Sequence, residues 1–358
     1  MHSPFFQKAP NFLNNIDQRK KIMSIRIGLI GAGRMGKVFA QTLAFSVVEA
    51  DLVAIADNNS TAAQETAALV NAPDWYADYH ELLDRKDIAA VVIATPTSTH
   101  VEVVQAAAAA GKQIFCEKPL SNTLAGCDEA IAAVKAAGVR LQIGFMRRFD
   151  PPYVMAKRKI DEGLIGKPVM IKTLGRDPRR TSLEFARRET SGGMILDMGI
   201  HDFDTARWLM GSEVERVSSE GGCLVFPELK DVGDIDNAVI NLRFTNGAIG
   251  NVDLSRNAVY GYDIRTEILG SQGGLMIGRD RYTDILVMTA AGVSHDTVPY
   301  FMERFGTAYA EEIRGFIQTI VEGTQPLAGS ADARAATAIG IAATRSLDEN
   351  RPVLISEV

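Results

Sequence analysis

Cysteine, histidine and tryptophan are scarce in this chain: three, five and two copies among 358 residues. Cys116, Cys127 and Cys223 make no Cys-x-x-Cys pair, which excludes a disulfide framework and a zinc site of that type. The histidines are scattered, so no metal is expected. Positive charge is not in excess. The 38 Lys and Arg against 44 Asp and Glu leave a net charge of −6, which argues against a nucleic-acid or anionic-membrane partner. Long apolar runs are missing too: the longest alanine-rich stretch, Ala106 to Ala110, stops at Gly111, far short of the roughly 20 residues that span a bilayer. Residues 1–23 carry no secretory pattern and read as a flexible extension, with Met23 a candidate start. A reduced, cytoplasmic setting is the expectation. What the chain has is ordinary globular composition, 46% hydrophobic and 23% charged, and length for about two domains.

The first half alternates strand and helix signals. Ile25 to Ile30 is an apolar strand that runs into Gly31-Ala32-Gly33-Arg34-Met35-Gly36, followed by a helix over about 33–46. In a GxGxxG loop the first glycine permits the tight turn, the second lets backbone approach a pyrophosphate, and the third allows close helix–strand packing. The helix start offers N–H donors to the phosphates; Arg34 and Met35 belong to that start. A second strand, Asp51 to Ala56, ends in Asp57, where the fingerprint wants an acid for the ribose hydroxyls. A carboxylate there repels a 2′-phosphate, and Asn58 to Ala63 holds no Arg or Lys, so the expected cofactor is NAD rather than NADP. The buried strand Ala89 to Ala94 leads into Thr95-Pro96-Thr97-Ser98-Thr99-His100, and the strand Gln113 to Cys116 into Glu117-Lys118-Pro119. Ligands bind beyond the carboxyl ends of such strands. Thr95, Pro96, His100, Glu117 and Lys118 therefore join the glycine loop as candidate cofactor contacts. The pattern is that of an α/β protein with a doubly wound parallel sheet.

The stretch from Ser191 to Asp204 carries the second set of reactive groups. Read as one helix, it puts Asp197, His201 and Asp204 on one arc, while Leu196, Ile200 and Phe203 make a stripe for the core. On that reading Asp197 holds the imidazole of His201 in one tautomer, and the other ring nitrogen exchanges a proton with a substrate. Lys118 can stabilise an oxyanion as it forms. Arg148, beside the crossing at 145–150, fits either a hydroxyl-binding fork or a salt bridge between domains. Past this helix the texture turns to strands at about 214–223, 236–244, 248–254, 263–269 and 275–277, with Asn246-Gly247 as a hairpin turn. Tyr260 and Tyr262 fit either substrate contact or packing. Helices at about 308–322 and 331–349 close the chain.

The glycine loop, Asp57, Glu117-Lys118-Pro119, Gly192-Gly193 and Asp197-x-x-x-His201 occur in this order. Together they resemble the glucose–fructose oxidoreductase, inositol dehydrogenase and rhizopine-catabolism family (Gfo/Idh/MocA), from Ser24 onward. Gly144 to Asp150 and Tyr260 to Glu267 resemble its inositol 2-dehydrogenase branch. The resemblance implies a Rossmann NAD-binding domain over 24–144. It also implies a substrate-binding and oligomerisation domain over 145–358, with a large, open, mostly antiparallel sheet whose free face builds homodimers or homotetramers. It implies a catalytic set of Lys118, Asp197 and His201 and a cis Lys118–Pro119 bond. The implied activity is NAD-dependent oxidation of a ring secondary alcohol, foremost myo-inositol to its 2-keto form. Arg148, Asp204 and Tyr260 are then candidate contacts to the polyol. Another sugar or inositol as substrate (scyllo-inositol, glucose, a glucoside at C3), an NAD-dependent glycosidase and a non-catalytic nucleotide sensor stay open at this point.

Overall fold

The computed structural model describes residues 24–278 and 281–358, so the extension expected over 1–23 lies outside the described residues. Strand and helix alternate through the first half: β1 (Ile25–Ile30), α1 (Arg34–Phe45), β2 (Ala50–Ala56), α2 (Ser60–Val70), β3 (Asp74–Tyr76), α3 (Tyr79–Leu83), β4 (Ala90–Ile93), α4 (Thr97–Ala109), β5 (Gln113–Cys116), α5 (Leu124–Ala137) and β6 (Leu141–Ile143). The strands pair in parallel in the order β3-β2-β1-β4-β5-β6. Order reverses between β1 and β4, and the crevice at such a switch point is where an open α/β sheet takes its ligand. All four residues of β4 are buried, as a central parallel strand covered on both faces requires.

A 3₁₀ turn at Met146–Phe149 carries the chain into the second half. There follow α6 (Pro151–Asp161), β7 (Pro168–Arg176), the short helices α7 (Leu183–Ala186), α8 (Arg188–Ser191) and α9 (Gly193–Asp197), then α10 (Gly199–Met210). Next come β8 (Val214–Gly222), β9 (Asn237–Phe244), β10 (Ile249–Ser255), β11 (Asp263–Gly270), β12 (Gly274–Gly278), the hairpin β13 (Leu286–Thr289) and β14 (Gly292–His295), α11 (Phe301–Glu322), α12 (Ser330–Glu349) and β15 (Val353–Leu354). Seven of these strands form a mixed sheet, β12-β11-β7-β10-β9-β8-β15, antiparallel except where β7 runs parallel to β10. In β9 Ala238, Ile240, Leu242 and Phe244 point to the core, while Val239, Asn241 and Arg243 face outward. Helices cover one face and leave the other open, which alternation along an antiparallel strand permits.

Two differences from the sequence reading have physical causes. Helix α11 begins at Phe301, seven residues before the expected start, because burial of Phe305 offsets the roughly 1 kcal/mol that Gly306 costs a helix. The hairpin β13–β14 was not expected: all eight of its residues are exposed, so no buried face stamps a period on the sequence. Helix α11 packs back on the first sheet, with Phe316 edge-on to Phe115 and Tyr309 edge-on to Phe39.

Buried ion pairs tie the turn at 146–150 to the rest of the second half. Arg147 meets Asp202, and Arg304 meets Asp150. Arg148 donates from Nε and Nη2 to both oxygens of Asp204 at 2.9 and 2.6 Å and also meets Asp332 at the start of α12. This corrects the assignment of Arg148 and Asp204 to substrate. Both are almost wholly buried and neither lines the main cavity, because a buried guanidinium must satisfy its charge inside the protein. Removing one partner strands the other: Asp204→Ala should lower unfolding free energy by about 3–5 kcal/mol, measured by urea denaturation, with a smaller loss for Asp332→Ala.

Candidate active site

A cavity of about 970 Å³ opens at the carboxyl ends of β1, β4 and β5 and is closed by residues from the second sheet and its helices. The glycine loop forms one wall. Gly31 has φ +101°, and a Cβ there would lie 2.6 Å from the Ala94 carbonyl. A Cβ on Gly36 would sit 1.9 Å from the Gly31 carbonyl oxygen, so the helix can approach the strand only without one. At Gly33 a Cβ would meet nothing within 4 Å. That open side faces the first turn of α1, whose start has no side-chain cap, leaving N–H groups for an anion. Asp57 is fixed by Ala32 N–H at 2.7 Å and Asn59 N–H at 2.8 Å, at the lip of the cavity. A dinucleotide fits this wall: the start of α1 at Gly33 would hold its pyrophosphate and Asp57 its ribose hydroxyls. Met35, Thr95 and Pro96 also line it, and Arg34 lies over the Phe301 ring at 5.6 Å.

Lys118 and His201 reach the cavity from opposite halves of the chain. The Lys118–Pro119 bond is cis. Lys118 Nζ donates to the Asp197 carbonyl at 2.9 Å and to Asp197 Oδ1 at 3.1 Å. Arg256 Nη2 donates to Asp197 Oδ2 at 3.3 Å. Burial alone would raise Asp197, but Lys118 and Arg256 outweigh it and hold the carboxyl below its ordinary value. Burial, with the charges of Lys118 and Arg147 nearby, holds His201 well below the ordinary imidazole value, so the ring is neutral at pH 7. Burial pushes Glu117 up to about 7, against the pull of Lys118.

The expected helix over 191–204 is interrupted at Met198, and the consequence is chemical. In an unbroken helix the Asp197 carbonyl would accept from His201 N–H; here it accepts from Lys118, and His201 N–H turns to the Met198 carbonyl at 3.4 Å. Asp197 therefore grips the lysine instead of the imidazole, and His201 Nδ1 is buried without a partner. The expected Asp197–His201 bond is corrected on this ground.

Of two further candidates, His100 lines the cavity with both ring nitrogens engaged by backbone, and Tyr260 falls outside it. The ring nitrogens of His100 lie 2.8 and 2.9 Å from the carbonyls of Pro119 and Thr95, so this histidine holds the turn after β5 and offers a cofactor no free nitrogen. Tyr260 lies outside the cavity; its hydroxyl donates to Asp263 and accepts from Arg176. The sequence reading gave no role to Asp177, which lines the cavity and which burial, reinforced by Asp197, pushes up to about 6. Nor did it single out Arg256, whose only signal was a cation at the end of the apolar strand β10. Exchanging Lys118 for Met removes one of the two charges that depress His201, so its titration midpoint, followed by NMR, should move up toward 6.5.

Both halves of the chain match known proteins. Residues 25–145 match the oxidoreductase family, NAD-binding Rossmann fold, and residues 153–276 match the GFO/IDH/MocA C-terminal domain. The scyllo-inositol 2-dehydrogenase (NAD(+)) of Bacillus subtilis (strain 168) is 41% identical over 92% of this chain and 96% of its own length. The myo-inositol 2-dehydrogenase of Thermotoga maritima is 41% identical over 93% of this chain and 99% of its own. The crystal structure of scyllo-inositol dehydrogenase from Lactobacillus casei with bound NAD(H) and scyllo-inositol superposes with a TM-score of 0.88 at 29% identity, covering 93% of this chain and 99% of that one. With both halves matched and relatives aligned along almost their whole length, the chain belongs to the Gfo/Idh/MocA family of NAD-dependent oxidoreductases.

Proposed function

We propose that this chain oxidises the C2 alcohol of myo-inositol to 2-keto-myo-inositol. The observation that carries the reading is the meeting of Lys118 and a neutral His201 in one cavity beside the glycine loop and Asp57. When bound, NAD supplies the acceptor for the hydride that leaves the alcohol carbon. His201 takes the hydroxyl proton, for which it must be neutral; its depressed pKa keeps it so at pH 7. Lys118 donates to the same oxygen and stabilises the negative charge that grows there. Asp197 holds Lys118 in place through both its carbonyl and its carboxylate. Asp177 accepts from a further ring hydroxyl, a type of contact that discriminates strongly because an unpaired buried polar group is costly.

Scyllo-inositol is the second reading, favoured by the name of the Bacillus subtilis relative at the same 41% identity. Oxidation of either isomer at C2 gives the same ketone, so the two are separated by kcat/KM and not by product. We further read the open face of the second sheet, with Val239, Ile249, Leu269 and Met276 exposed on it, as the surface of a cytoplasmic homodimer or homotetramer.

NADH formation with myo-inositol and scyllo-inositol tests the reading; no turnover on either would overturn it. His201→Ala should cut kcat by about 10²–10⁴-fold while NAD binding survives. Because His201 titrates well below 6.5, kcat should hold as pH falls through 6.5 and drop only at lower pH. Asp57→Ser should raise KM for NAD by about ten- to a hundredfold, the worth of a charged hydrogen bond at about 1.5–3 kcal/mol, and narrow the preference over NADP.

A further inference from the structure

Arg256 is the largest of the fully buried side chains, 1% exposed, and no step of the proposed reaction uses it directly. Its N–H donates to the Asp236 carbonyl at 2.9 Å. Its guanidinium divides between two carboxylates, Nη1 to Asp234 Oδ2 at 2.8 Å and Nη2 to Asp197 Oδ2 at 3.3 Å. The other oxygen of Asp234 accepts from Met194 N–H at 2.7 Å, in the first turn of α9. That approach is close: a Cβ on Gly193 would come within 2.9 Å of the same oxygen. Asp197 is the last residue of α9. This five-residue helix is thus tied at its start by Asp234 and at its end by the guanidinium that Asp234 anchors.

We propose that Arg256 is a positioning residue for the oxidation: fixed on Asp234, it holds the Asp197 carboxylate at the angle from which that group directs the Lys118 ammonium onto the reacting alcohol. The inference rests on the proposed reading of Lys118 and His201 as the groups that handle that alcohol. Both oxygens of Asp197 are engaged, one by Lys118 and one by Arg256. With Arg256 gone, Oδ2 has no cation and the carboxylate is free to rotate with the lysine it carries. The charged groups nearby do not replace it. Arg34 and Asp177 act on this cluster through space, and Glu117 and Asp234 bring negative charge. A lysine at 256 is a poor substitute, because a point charge cannot span two carboxylates as a planar fork does.

The test uses the full chain with NAD and myo-inositol, unlabelled and deuterated at C2, in Arg256→Met, Arg256→Lys and Asp234→Asn. In Arg256→Met kcat should fall about 10- to 100-fold, the scale of a small misplacement at the reacting centre, with KM for NAD changed by no more than about twofold. The deuterium isotope effect on kcat should rise, since a slowed hydride step takes over from product release. Arg256→Lys should recover part of the loss, and Asp234→Asn should show the same pattern more weakly. A purely structural role would lower the unfolding temperature and leave the isotope effect of the folded enzyme unmoved; that result, or wild-type kcat in folded Arg256→Met, overturns the proposal. If Arg256→Met does not fold, wild-type kcat and isotope effect in both other variants overturn it equally. A wild-type chain that oxidises no polyol sinks the underlying reading and this inference with it, whereas an active wild type with unaffected variants sinks this inference alone.

Discussion

One contact joins the two halves of the site: the ammonium of Lys118 against Asp197, 79 residues further along the chain. Lysine stands at the end of a strand in the first sheet, aspartate at the end of a short helix over the second. Neither sheet alone can build the cluster. The pair is partly buried, with both side chains about one-fifth exposed, so its net contribution to stability is small after desolvation. Its effect is geometric. The lysine takes the backbone carbonyl that would have continued the helix, at the point where the helix breaks just before His201.

Around this contact the protein buries an unusual set of ions. Arg147 with Asp202, Arg148 with Asp204 and Arg304 with Asp150 all lie at the crossing between the halves. Replacing such pairs by apolar side chains often leaves stability unchanged or higher. What ions offer and oil does not is direction, because each guanidinium must find its own carboxylate. Here they fix the turn that leaves the first sheet against α10 and α11.

The elements that were legible in the sequence are those with a strong local signature. The glycine loop could be read because Gly31 and Gly36 have steric reasons that hold in any such turn, and β4 because a run of buried apolar residues has few other uses. Asp57 followed from its distance to that loop, and Asn246-Gly247 from the needs of a tight hairpin. Lys118 and His201 were named from their motifs and do line one cavity. What periodicity could not supply was the partner of each charge. Asp197, His201 and Asp204 share an arc on an ideal helix, yet the break at Met198 and the competing cations Lys118, Arg256 and Arg148 send them in three directions. Those cations lie from 56 to 79 positions away from the carboxylates they bind, in either direction, and no local pattern reports them. Asp177, in a polar loop over 176–182 that reads as a candidate wall of the site, was given no role of its own, and Arg256 was passed over, for the same reason: each matters through what the fold lays beside it.

The parallel pairing of β7 with β10 has a consequence of its own. Every other neighbour pair in that sheet is antiparallel, and two antiparallel strands deliver their carboxyl ends to opposite edges. Because β7 and β10 travel together, with Arg176 opposite Ser255, the next residue of each, Asp177 and Arg256, leaves the sheet at the same corner with opposite charge. The intervening chain, with α9 and α10 inside it, is the loop that such a pairing obliges the protein to make. A sheet wired as a simple meander would have scattered an acid and a base across the molecule; this wiring sets them down as neighbours, under the one aspartate that needs both a donor and a fixed bearing.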